Sequence, residues 1–431
     1  MPAPAVPGSA APVPSAPGSA ARVPAARVPA ARVPAAAASA VPGPTAPGSV
    51  PTPDDALLRL GWDTTWSAAL RDLDEARPGG PRSAGRVVGR VARADRGSCE
   101  VLAPQVGGTR GAELVTLTAA WGPALERAVS HDPTRVPAAG DWVVAEPVDG
   151  SRAEARLVLT AVLPRRTAVV RAQADGSSHG QVLAANADVV AVVEGMVPDL
   201  DEARIERLLA LAWSSGARPV VVLTKADLAR DPGAVRDEVA LLAPGADVLA
   251  VSTPSGDGLE ALHAHLAAGA TIALLGASGV GKSTLLNALV AGDVGTGPMA
   301  TRSLGAEGKG RHTTVTRELH LGPVAGAVLD TPGMRTIGLS GHTDVETVFP
   351  EIEELAAACR FRDCEHRTEP GCAVLAAVDA GDLPLRRLLS FRKLLREAAW
   401  QASRTDARLR AELVRPWKEH ARAARAHPKR R

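Results

Sequence analysis

The spacing of apolar residues changes along the chain and predicts two regions of different secondary structure. From residue 86 to 162 the apolar positions fall in short β-rich runs, which Gly, Pro and Asp separate and which include GRVVGRVARAD, CEVLAP, AELVTLTA and DWVVAEPV. From residue 188 strand-like runs alternate with helical ones, such as DEARIERLLALAWSSG, whose apolar positions recur at helical spacing up to Gly216. The pattern predicts a small β-barrel followed by an α/β domain with a parallel sheet.

The flanking segments lack this regularity. Residues 1–52 are almost entirely Ala, Pro, Val, Gly and Ser, which leaves little apolar surface to bury, and we predict a disordered extension there. Beyond about residue 343 the sequence is typical of helices. The predicted segments are the extension 1–52, a lead-in 53–82, the β-barrel 83–165, the α/β domain 166–342, a mainly helical domain 343–400 and a basic tail 401–431.

The charge balance bears on the partners of the protein. Lys and Arg number 49 against 47 Asp and Glu, so the chain as a whole is not a polycation. From Leu385 to Arg431, however, fifteen basic residues face four acidic ones, which indicates an anionic partner or, alternatively, a solvated helix with a frayed tail. Four cysteines do not suit a disulfide framework, and no apolar run reaches the length of a membrane span. We therefore expect a cytoplasmic monomer without a membrane segment.

A phosphate-binding loop is predicted at residues 276–284. GASGVGKS, from Gly276 to Ser283, matches the pattern G-x-x-x-x-G-K-[ST] and lies between the apolar strand TIALL and the helix STLLNALV, as the motif requires. Its glycines let backbone N–H groups approach phosphates, while Lys282 reaches the β- and γ-phosphates and Ser283 offers a hydroxyl to Mg²⁺. The loop therefore predicts a nucleoside triphosphate with Mg²⁺ as ligand.

Two later stretches suit the γ-phosphate end of such a ligand. DTPG, from Asp330 to Gly333, ends the strand AGAVL, where the carboxylate can hold Mg²⁺ through water and the Gly333 N–H can meet the γ-phosphate. In the segment GRHTTVTREL, either Thr313 or Thr314 would close over Mg²⁺. The sequence leaves the choice between the two threonines open.

A guanine-reading loop is predicted upstream of the phosphate loop. TKAD, from Thr224 to Asp227, ends the strand PVVVL, and the Asp carboxylate can accept from two donors of guanine that adenine does not offer. Ser252 and Thr253 suit a second base-contacting loop. In an ordinary GTPase the phosphate loop comes first, so this order predicts a circularly permuted α/β P-loop GTPase domain. The predicted GTP-binding residues are Thr224, Lys225, Ala226, Asp227, Ser252, Gly276, Ala277, Ser278, Gly279, Val280, Gly281, Lys282, Ser283 and Thr284.

A cysteine-rich stretch, CRFRDCEHRTEPGC, predicts a metal site in the helical domain. Cys359, Cys364, His366 and Cys372 supply three thiolates and one imidazole, a closed tetrahedral set that suits one structural Zn²⁺ and leaves no position for a catalytic water. The alternative is a group of buried thiols beside a surface His. Cys99 is isolated and is expected in a core.

Together these motifs resemble one known family, the circularly permuted, ribosome-dependent GTPases of the RsgA (YjeQ) type. The resemblance covers about residues 83–400, and its most specific carriers are VVLTKADL, GASGVGKSTLLN, GRHTTVTREL, DTPGMRTIGL and CRFRDCEHRTEPGCAV. It implies a multidomain fold: a small β-barrel of oligonucleotide-binding type, the permuted GTPase domain, and a mainly helical zinc-binding domain. It also implies binding to the small (30S) ribosomal subunit and its rRNA, a late role in maturation of that subunit, and GTP hydrolysis that the subunit stimulates.

The residue after DTPG bears on the hydrolytic step. Met334 lies where many GTPases have a water-orienting Gln, and a thioether cannot position the attacking water. We therefore expect slow intrinsic turnover, with His312 either orienting the water or only bracing its loop. An RNA-binding scaffold that holds nucleotide with negligible turnover is the alternative function. The predicted catalytic residues are Lys282, His312, Thr313, Thr314, Asp330 and Gly333.

Overall fold

A computed structural model describes residues 53–76, 86–105, 113–148, 157–172, 180–290, 317–331, 338–339, 343–406, 408–411 and 415. The chain from Val50 to Arg431 forms one compact unit by its internal contacts. The predicted extension, residues 1–52, lies outside the described residues. Among the described helices, none is both long and apolar enough to cross a membrane.

Two short helices precede a five-stranded β-barrel. The second helix begins after Asp63, whose carboxylate accepts the backbone N–H groups of Thr65 and Trp66 at 2.8 and 3.0 Å and so satisfies donors that a helix N-terminus leaves unpaired. In chain order the elements are α1 (Pro53–Arg59), α2 (Thr64–Glu75), β1 (Val87–Asp95), β2 (Ser98–Pro104), β3 (Leu114–Trp121), α3 (Pro123–His131), β4 (Trp142–Pro147) and β5 (Leu157–Val162).

The barrel closes because its last strand in sheet order returns to its first. The order is β1-β2-β3-β5-β4, and β4 also pairs antiparallel with β1 from Val87↔Ala145 to Arg90↔Trp142. Along β2 every second residue is buried, which places Cys99, Val101 and Ala103 inside. The strand pattern read from the sequence is therefore confirmed, while α3 was not predicted.

The α/β region begins with a two-stranded hairpin and continues as alternating strands and helices. The hairpin and β12 were not predicted. In chain order the elements are β6 (Ala168–Ala172), β7 (Gly180–Ala185), β8 (Val189–Gly195), α4 (Glu202–Ser214), β9 (Arg218–Thr224), α5 (Pro232–Leu242), β10 (Asp247–Ala250), α6 (Glu260–Ala267), β11 (Thr271–Leu275), α7 (Lys282–Val290), β12 (Glu318–Leu321) and β13 (Ala327–Asp330).

The sheet of this region is parallel and covered on both faces, as predicted. Its order is β10-β9-β8-β11-β13, with β12 antiparallel beside β13, and the pair Arg93↔Glu318 joins β12 to β1 of the barrel. Every residue of β8 is buried, and successive residues face opposite cores: Val190 and Val192 pack with α4, whereas Val189 and Val193 pack with α6 and α7.

The C-terminal region contains, among its described residues, the helices α8 (Pro350–Ala356), α9 (Ala373–Ala380) and α10 (Leu385–Thr405). Their apolar residues do not form a separate core. Phe349, Leu388, Phe391 and Leu394 belong to the same buried cluster as the apolar residues of α4. The C-terminal region therefore packs directly on the α/β region through α4.

Candidate functional site

The predicted nucleotide loops meet at one edge of the parallel sheet. Because β9, β8, β11 and β13 are neighbours and run parallel, their carboxyl ends lie side by side. TKAD begins with the last residue of β9, the phosphate loop follows β11, and Asp330 is the last residue of β13. Strand neighbours, and not the order along the chain, bring these loops together.

The glycines of the phosphate loop are required by its geometry. A Cβ on Gly276 would lie 2.4 Å from the carbonyl oxygen of Val193, so only glycine lets the loop pass this close to β8. Gly279 and Gly281 have φ values of +85° and +98°, in the left-handed region that glycine adopts without strain. Helix α7 then begins at Lys282, so its unpaired N–H groups face the loop, an arrangement that favours phosphate.

Lys282 and Asp330 place opposite charges across the same space. The Lys282 ammonium donates to the carbonyl oxygens of Gly276 and Ala277 at 3.0 and 2.7 Å. Burial lowers the pKa of Lys282, and the nearby carboxylates of Asp330 and then Glu194 oppose that change. Burial raises the pKa of Asp330, and Lys282 opposes it. A hydroxyl from Ser283 and a carboxylate from Asp330 are the oxygen donors that Mg²⁺ prefers, so this edge fits Mg²⁺ beside phosphates.

Thr224 ties the base loop to the phosphate loop. Its hydroxyl lies within hydrogen-bond reach of two carbonyl oxygens, that of Glu194 at 3.2 Å and, closer still, that of Val280. Gly281 makes room for it, since a Cβ there would lie 3.2 Å from the Thr224 hydroxyl oxygen. The hydroxyl therefore contacts protein and holds two loops in register, a role that the sequence motif alone did not indicate.

The rest of TKAD is arranged with its carboxylate outward. Lys225 has a left-handed backbone with φ of +60°, its Nζ donates to the Val197 carbonyl oxygen at 3.2 Å, and its stem lies against Gly195. The Asp227 side chain is exposed at the loop surface. The backbone N–H of Ala226 donates to the Val251 carbonyl oxygen at 3.1 Å, which links TKAD to the loop that begins at Ser252.

Ser252 itself is 2% exposed, so little of it can reach a ligand. Its Oγ accepts the backbone N–H of Ser255 at 3.4 Å. The structure thus places this loop beside TKAD, and the Ser252 hydroxyl makes its hydrogen bond within the loop.

Sequence reasoning missed a neighbour of Asp330. Thr331 is fully buried, and its hydroxyl donates to the carbonyl oxygen of Leu274 at 2.5 Å, which fastens the end of β13 to β11. A Thr directly after the Asp at a strand end was the available signal. The predicted residues His312, Thr313, Thr314, Gly333 and Met334 lie outside the described residues.

The four predicted metal ligands come together in the segment between α8 and α9. The ligand atoms of Cys359, Cys364, His366 and Cys372 all lie within 4.8 Å of one another. The Sγ atoms of Cys359 and Cys372 are 3.8 Å apart, and each lies 3.6 and 3.5 Å, respectively, from Nδ1 of His366. Tetrahedral zinc with ordinary bond lengths separates two sulfurs by about 3.8 Å and sulfur from nitrogen by about 3.6 Å. The observed separations therefore fit such an ion.

Buried donors beside the cluster agree with this fit. Within the described part of the chain, Nε and Nη2 of Arg392 are buried without a hydrogen-bond partner. Burial lowers the pKa of His366; the charge of Glu369 opposes this change, and the charge of Arg392 adds to it. A neutral imidazole is the form that binds a metal, and three thiolates around a divalent ion leave a net negative charge for the guanidinium to face.

Comparison with known proteins identifies the family. A family profile described as RsgA GTPase matches residues 162–340. The chain is 48% identical over 376 residues to the small ribosomal subunit biogenesis GTPase RsgA of Streptomyces avermitilis, a match that covers 86% of this chain and 94% of that protein. This chain belongs to the RsgA family of GTPases. The RsgA of Streptomyces coelicolor is 46% identical over 375 residues, with the same coverage of both chains.

RsgA-family membership confirms the GTPase prediction and the permuted order of the nucleotide loops. The matched region contains both nucleotide loops and Asp330, while the Cys3His cluster lies beyond it. The crystal structure of YjeQ from Thermotoga maritima has the same fold, with a TM-score of 0.50 at 24% identity over 73% of this chain and 98% of that one.

Proposed function

We propose that this chain is a GTP-hydrolysing assembly factor that binds the small ribosomal subunit and acts in its late maturation. One observation carries the nucleotide part of the proposal: TKAD, the phosphate loop and Asp330 converge on one sheet edge in an order that ordinary GTPases do not have. The ribosomal part rests on family membership, since the relatives at 48% and 46% identity are named for small ribosomal subunit biogenesis.

The phosphates would lie on the loop from Gly276 to Thr284. Its backbone N–H groups and the start of α7 would bind the phosphate oxygens, and the Lys282 ammonium would leave the loop carbonyls for the β- and γ-phosphates. Ser283 and Asp330 would hold Mg²⁺. That ion, when bound, neutralises charge that develops on the phosphate oxygens.

The guanine base would be read by Asp227. Its exposed carboxylate would accept from the two ring-edge donors of guanine, the Lys225 stem would lie along the base, and Ala226 and the Ser252 loop beside it would border the base. Adenine presents no matching pair of donors, so the loop favours GTP over ATP.

Hydrolysis needs an ordered water and charge stabilisation at the γ-phosphate. We assign the Mg²⁺-facing hydroxyl to Thr313 or Thr314 and a γ-phosphate contact to the Gly333 N–H, and we keep two roles for His312, orienting the water or bracing its loop. Because Met334 cannot orient water, docking of the subunit would supply the missing order.

The Cys3His cluster would hold one structural Zn²⁺, which would cross-link the loop between α8 and α9. Exposed cations alternate with the ligands along the chain, at Arg360, Arg362 and Arg367, and α10 carries the exposed cations Lys393 and Arg396. They are suited to phosphates of rRNA, for which backbone contacts supply most of the non-specific affinity.

Single-turnover GTP hydrolysis with and without purified small subunits tests the proposal. We expect slow hydrolysis alone and a rate at least about tenfold higher at saturating subunits, with Lys282→Ala inactive in both conditions. Tight GTP binding with no hydrolysis above the Lys282→Ala background, even with subunits, would instead support the nucleotide-holding RNA scaffold.

A further inference from the structure

A buried carboxylate lies at the end of the strand between the two nucleotide loops. β8 pairs with β9, which ends in TKAD, on one side and with β11, which leads into the phosphate loop, on the other. The strand is apolar from Val189 to Val193, whereas the next residue, Glu194, is charged and only 1% exposed. Burying a charge costs free energy unless hydrogen bonds and an opposite charge compensate for it. An apolar residue would serve the core at this position, so the carboxylate indicates a role beyond packing.

Arg204 of α4 compensates for this charge. Its Nε and Nη2 donate to Oε2 and Oε1 of Glu194 at 2.6 and 2.9 Å, and the backbone N–H of Gly195 donates to Oε1 at 3.1 Å. The two parallel donors of a guanidinium fix the orientation of a carboxylate as well as its position. The pair therefore ties the last two residues of β8 to the first turn of α4.

The strand end that this pair fixes is in contact with the base loop. The carbonyl oxygen of Glu194 accepts the Thr224 hydroxyl at 3.2 Å, and the Met196 N–H donates to the Thr224 carbonyl oxygen at 3.0 Å. A Cβ on Gly195 would lie 3.5 Å from Nζ of Lys225, so the Lys225 side chain lies directly against Gly195. Thr224 and Lys225 are the first two residues of TKAD, and they rest on the backbone that Glu194 holds.

The phosphate loop also borders β8. Burial lowers the pKa of Lys282, and the negative charges of Asp330 and then Glu194 oppose that change. GTP and ATP carry the same triphosphate, so any effect of Glu194 on the phosphate loop changes the affinities for both nucleotides alike. An effect of Glu194 on the base loop changes the ratio of the two affinities.

We propose that Glu194 is a positioning residue for guanine recognition, which together with Arg204 holds the end of β8 where TKAD meets the base. The inference rests on the proposed function, since it requires TKAD to read guanine. Without the charge pair, the strand end loses a fixed position, and the Lys225 stem and the Asp227 carboxylate meet the base less well. The pair thus contributes to the preference for GTP over ATP through TKAD and not by contact with the nucleotide.

The barrel offers a matched control in another buried pair. Asp141 is fully buried, and its two oxygens accept from Nε and Nη2 of Arg165 at 2.8 and 2.7 Å and from one backbone N–H, that of Ala138, at 2.8 Å. This is the same set of donors that Glu194 has. Among the described residues, the hydrogen bonds of the Asp141 and Arg165 side chains stay between residues 134 and 165. Asp141→Asn therefore breaks a comparable pair in a different part of the fold.

Competition binding of GTP and ATP to the full chain tests the proposal. Glu194→Gln keeps the size of the side chain but turns an amide NH2 toward the Arg204 donors. It should lower GTP affinity by about tenfold, the effect of one lost charge-assisted hydrogen bond, and the ratio of GTP to ATP affinity by about fivefold or more. Asp141→Asn should leave the ratio within about twofold, because a loss of stability alone reduces the folded fraction equally for both nucleotides. A parent-like ratio in Glu194→Gln would overturn the proposal.

A second variant keeps the test decisive if Glu194→Gln folds poorly. Arg204 is 29% exposed on a helix, so Arg204→Met removes the same contact from the side that solvent reaches, and it should lower the ratio to a similar extent. The double variant should lower the ratio no further than either single one, since both changes remove one interaction. Losses that add in the double variant would overturn the pairing.

The two conclusions fail in different ways. A parent chain that binds GTP no better than ATP would refute the reading of guanine by TKAD, on which the inference rests. A selective parent, with the same ratio in Glu194→Gln and in Arg204→Met, would refute only the role of Glu194.

Discussion

The nucleotide edge and the α4–α10 interface are built by different means. At the edge, the loops lie at the ends of neighbouring strands and are joined by short-range geometry: glycine backbones, the Thr224 hydroxyl and a helix N-terminus. At the interface, charged side chains far apart in the chain meet. Glu206, with no solvent exposure, accepts from Arg387 at 2.9 Å and also from the Ser390 hydroxyl.

The difference teaches which parts of such a protein tolerate change. Backbone donors at strand ends depend on the sheet and on a few glycines, so they survive a change in chain order. A buried carboxylate and a buried guanidinium depend on each other, because removing one leaves the other charged without its partner in a medium that solvates it poorly. We expect substitutions at the edge to change ligand affinity and substitutions at the interface to change stability.

The largest expected effect concerns the metal cluster that lies beside the interface. Cys364→Ser should abolish the proposed zinc binding and loosen α8 to α10, since structural zinc contributes on the order of 10 kcal/mol in small zinc domains. Nucleotide affinity should change little. Measurements of zinc content and hydrogen exchange check this prediction. Cys99 is a buried cysteine of the barrel outside the cluster, so Cys99→Ala is the control and should retain the zinc content of the parent. Zinc retained in Cys364→Ser would contradict the assignment.

Glu206→Ala should give the next largest effect. Arg387 is 3% exposed and would keep Glu351, at 2.6 Å, as its remaining carboxylate, so we expect a loss of about 3 kcal/mol, the lower end for a broken buried pair. Urea denaturation measures the loss. Glu202→Gln breaks the more exposed pair of the same helices, with Arg386, and should cost less than about 1 kcal/mol. Equal losses in the two variants would show that burial does not distinguish these pairs.

Thr224→Val tests the nucleotide edge by removing one hydroxyl. The variant keeps the shape of the side chain but removes the hydroxyl, which leaves the buried carbonyl oxygens of Glu194 and Val280 without this donor. We expect GTP and GDP affinities to fall together by about tenfold, the equivalent of one lost hydrogen bond. Thr224→Ser retains the hydroxyl and should bind nearly as the parent does. Unchanged GTP and GDP affinities in Thr224→Val would show that the Thr224 hydroxyl does not position the nucleotide loops.

The smallest expected effect lies at an exposed long-range pair. Arg166 donates to both oxygens of Asp63, and this contact, more than the N-cap N–H groups, holds the pKa of Asp63 below its usual value although burial opposes it. The pair stabilises the fold above the unfolded-state pKa of Asp, about 3.9, and that stabilisation is lost as pH falls through the lower folded-state value. The side chains of Arg166 and Asp63 are 34% and 46% exposed, so solvent screens their charges. The pair therefore contributes less than about 1 kcal/mol to folding stability.

Asp63→Asn isolates this charge because Asn caps helices as well as Asp does. At pH 7 the variant should be slightly less stable than the parent in urea, and the difference should shrink as the pH falls from about 5 toward 3. A difference that does not depend on pH would assign the effect to the cap and not to the charge.

The nucleotide loops and the Cys3His stretch could be predicted from the sequence, whereas the charged contacts of the α4–α10 interface could not, for a physical reason. TKAD, GASGVGKS and the Cys3His stretch each place several functional atoms within a few residues, so a short sequence window contains the whole signal. The contacts of Glu206 and Glu397 could not be predicted, because an acidic residue on a helix normally faces solvent. Their partners, Arg387 and Leu339, lie far from them in the sequence, so the neighbouring residues do not indicate either contact. The β6–β7 hairpin and α3 were missed because weakly patterned short segments depend on tertiary packing.

The central claim is that a base loop and a phosphate loop in reversed chain order form one guanine-nucleotide site. Equilibrium binding of GTP and xanthosine triphosphate to the parent and to Asp227→Asn tests it most directly. The amide offers a donor where xanthine has an oxygen, and loses the charged acceptor that meets two donors of guanine. We predict a fall in GTP affinity of about a hundredfold, a rise in xanthosine triphosphate affinity and unchanged stability, since Asp227 is exposed. Unchanged GTP affinity in Asp227→Asn would contradict the claim.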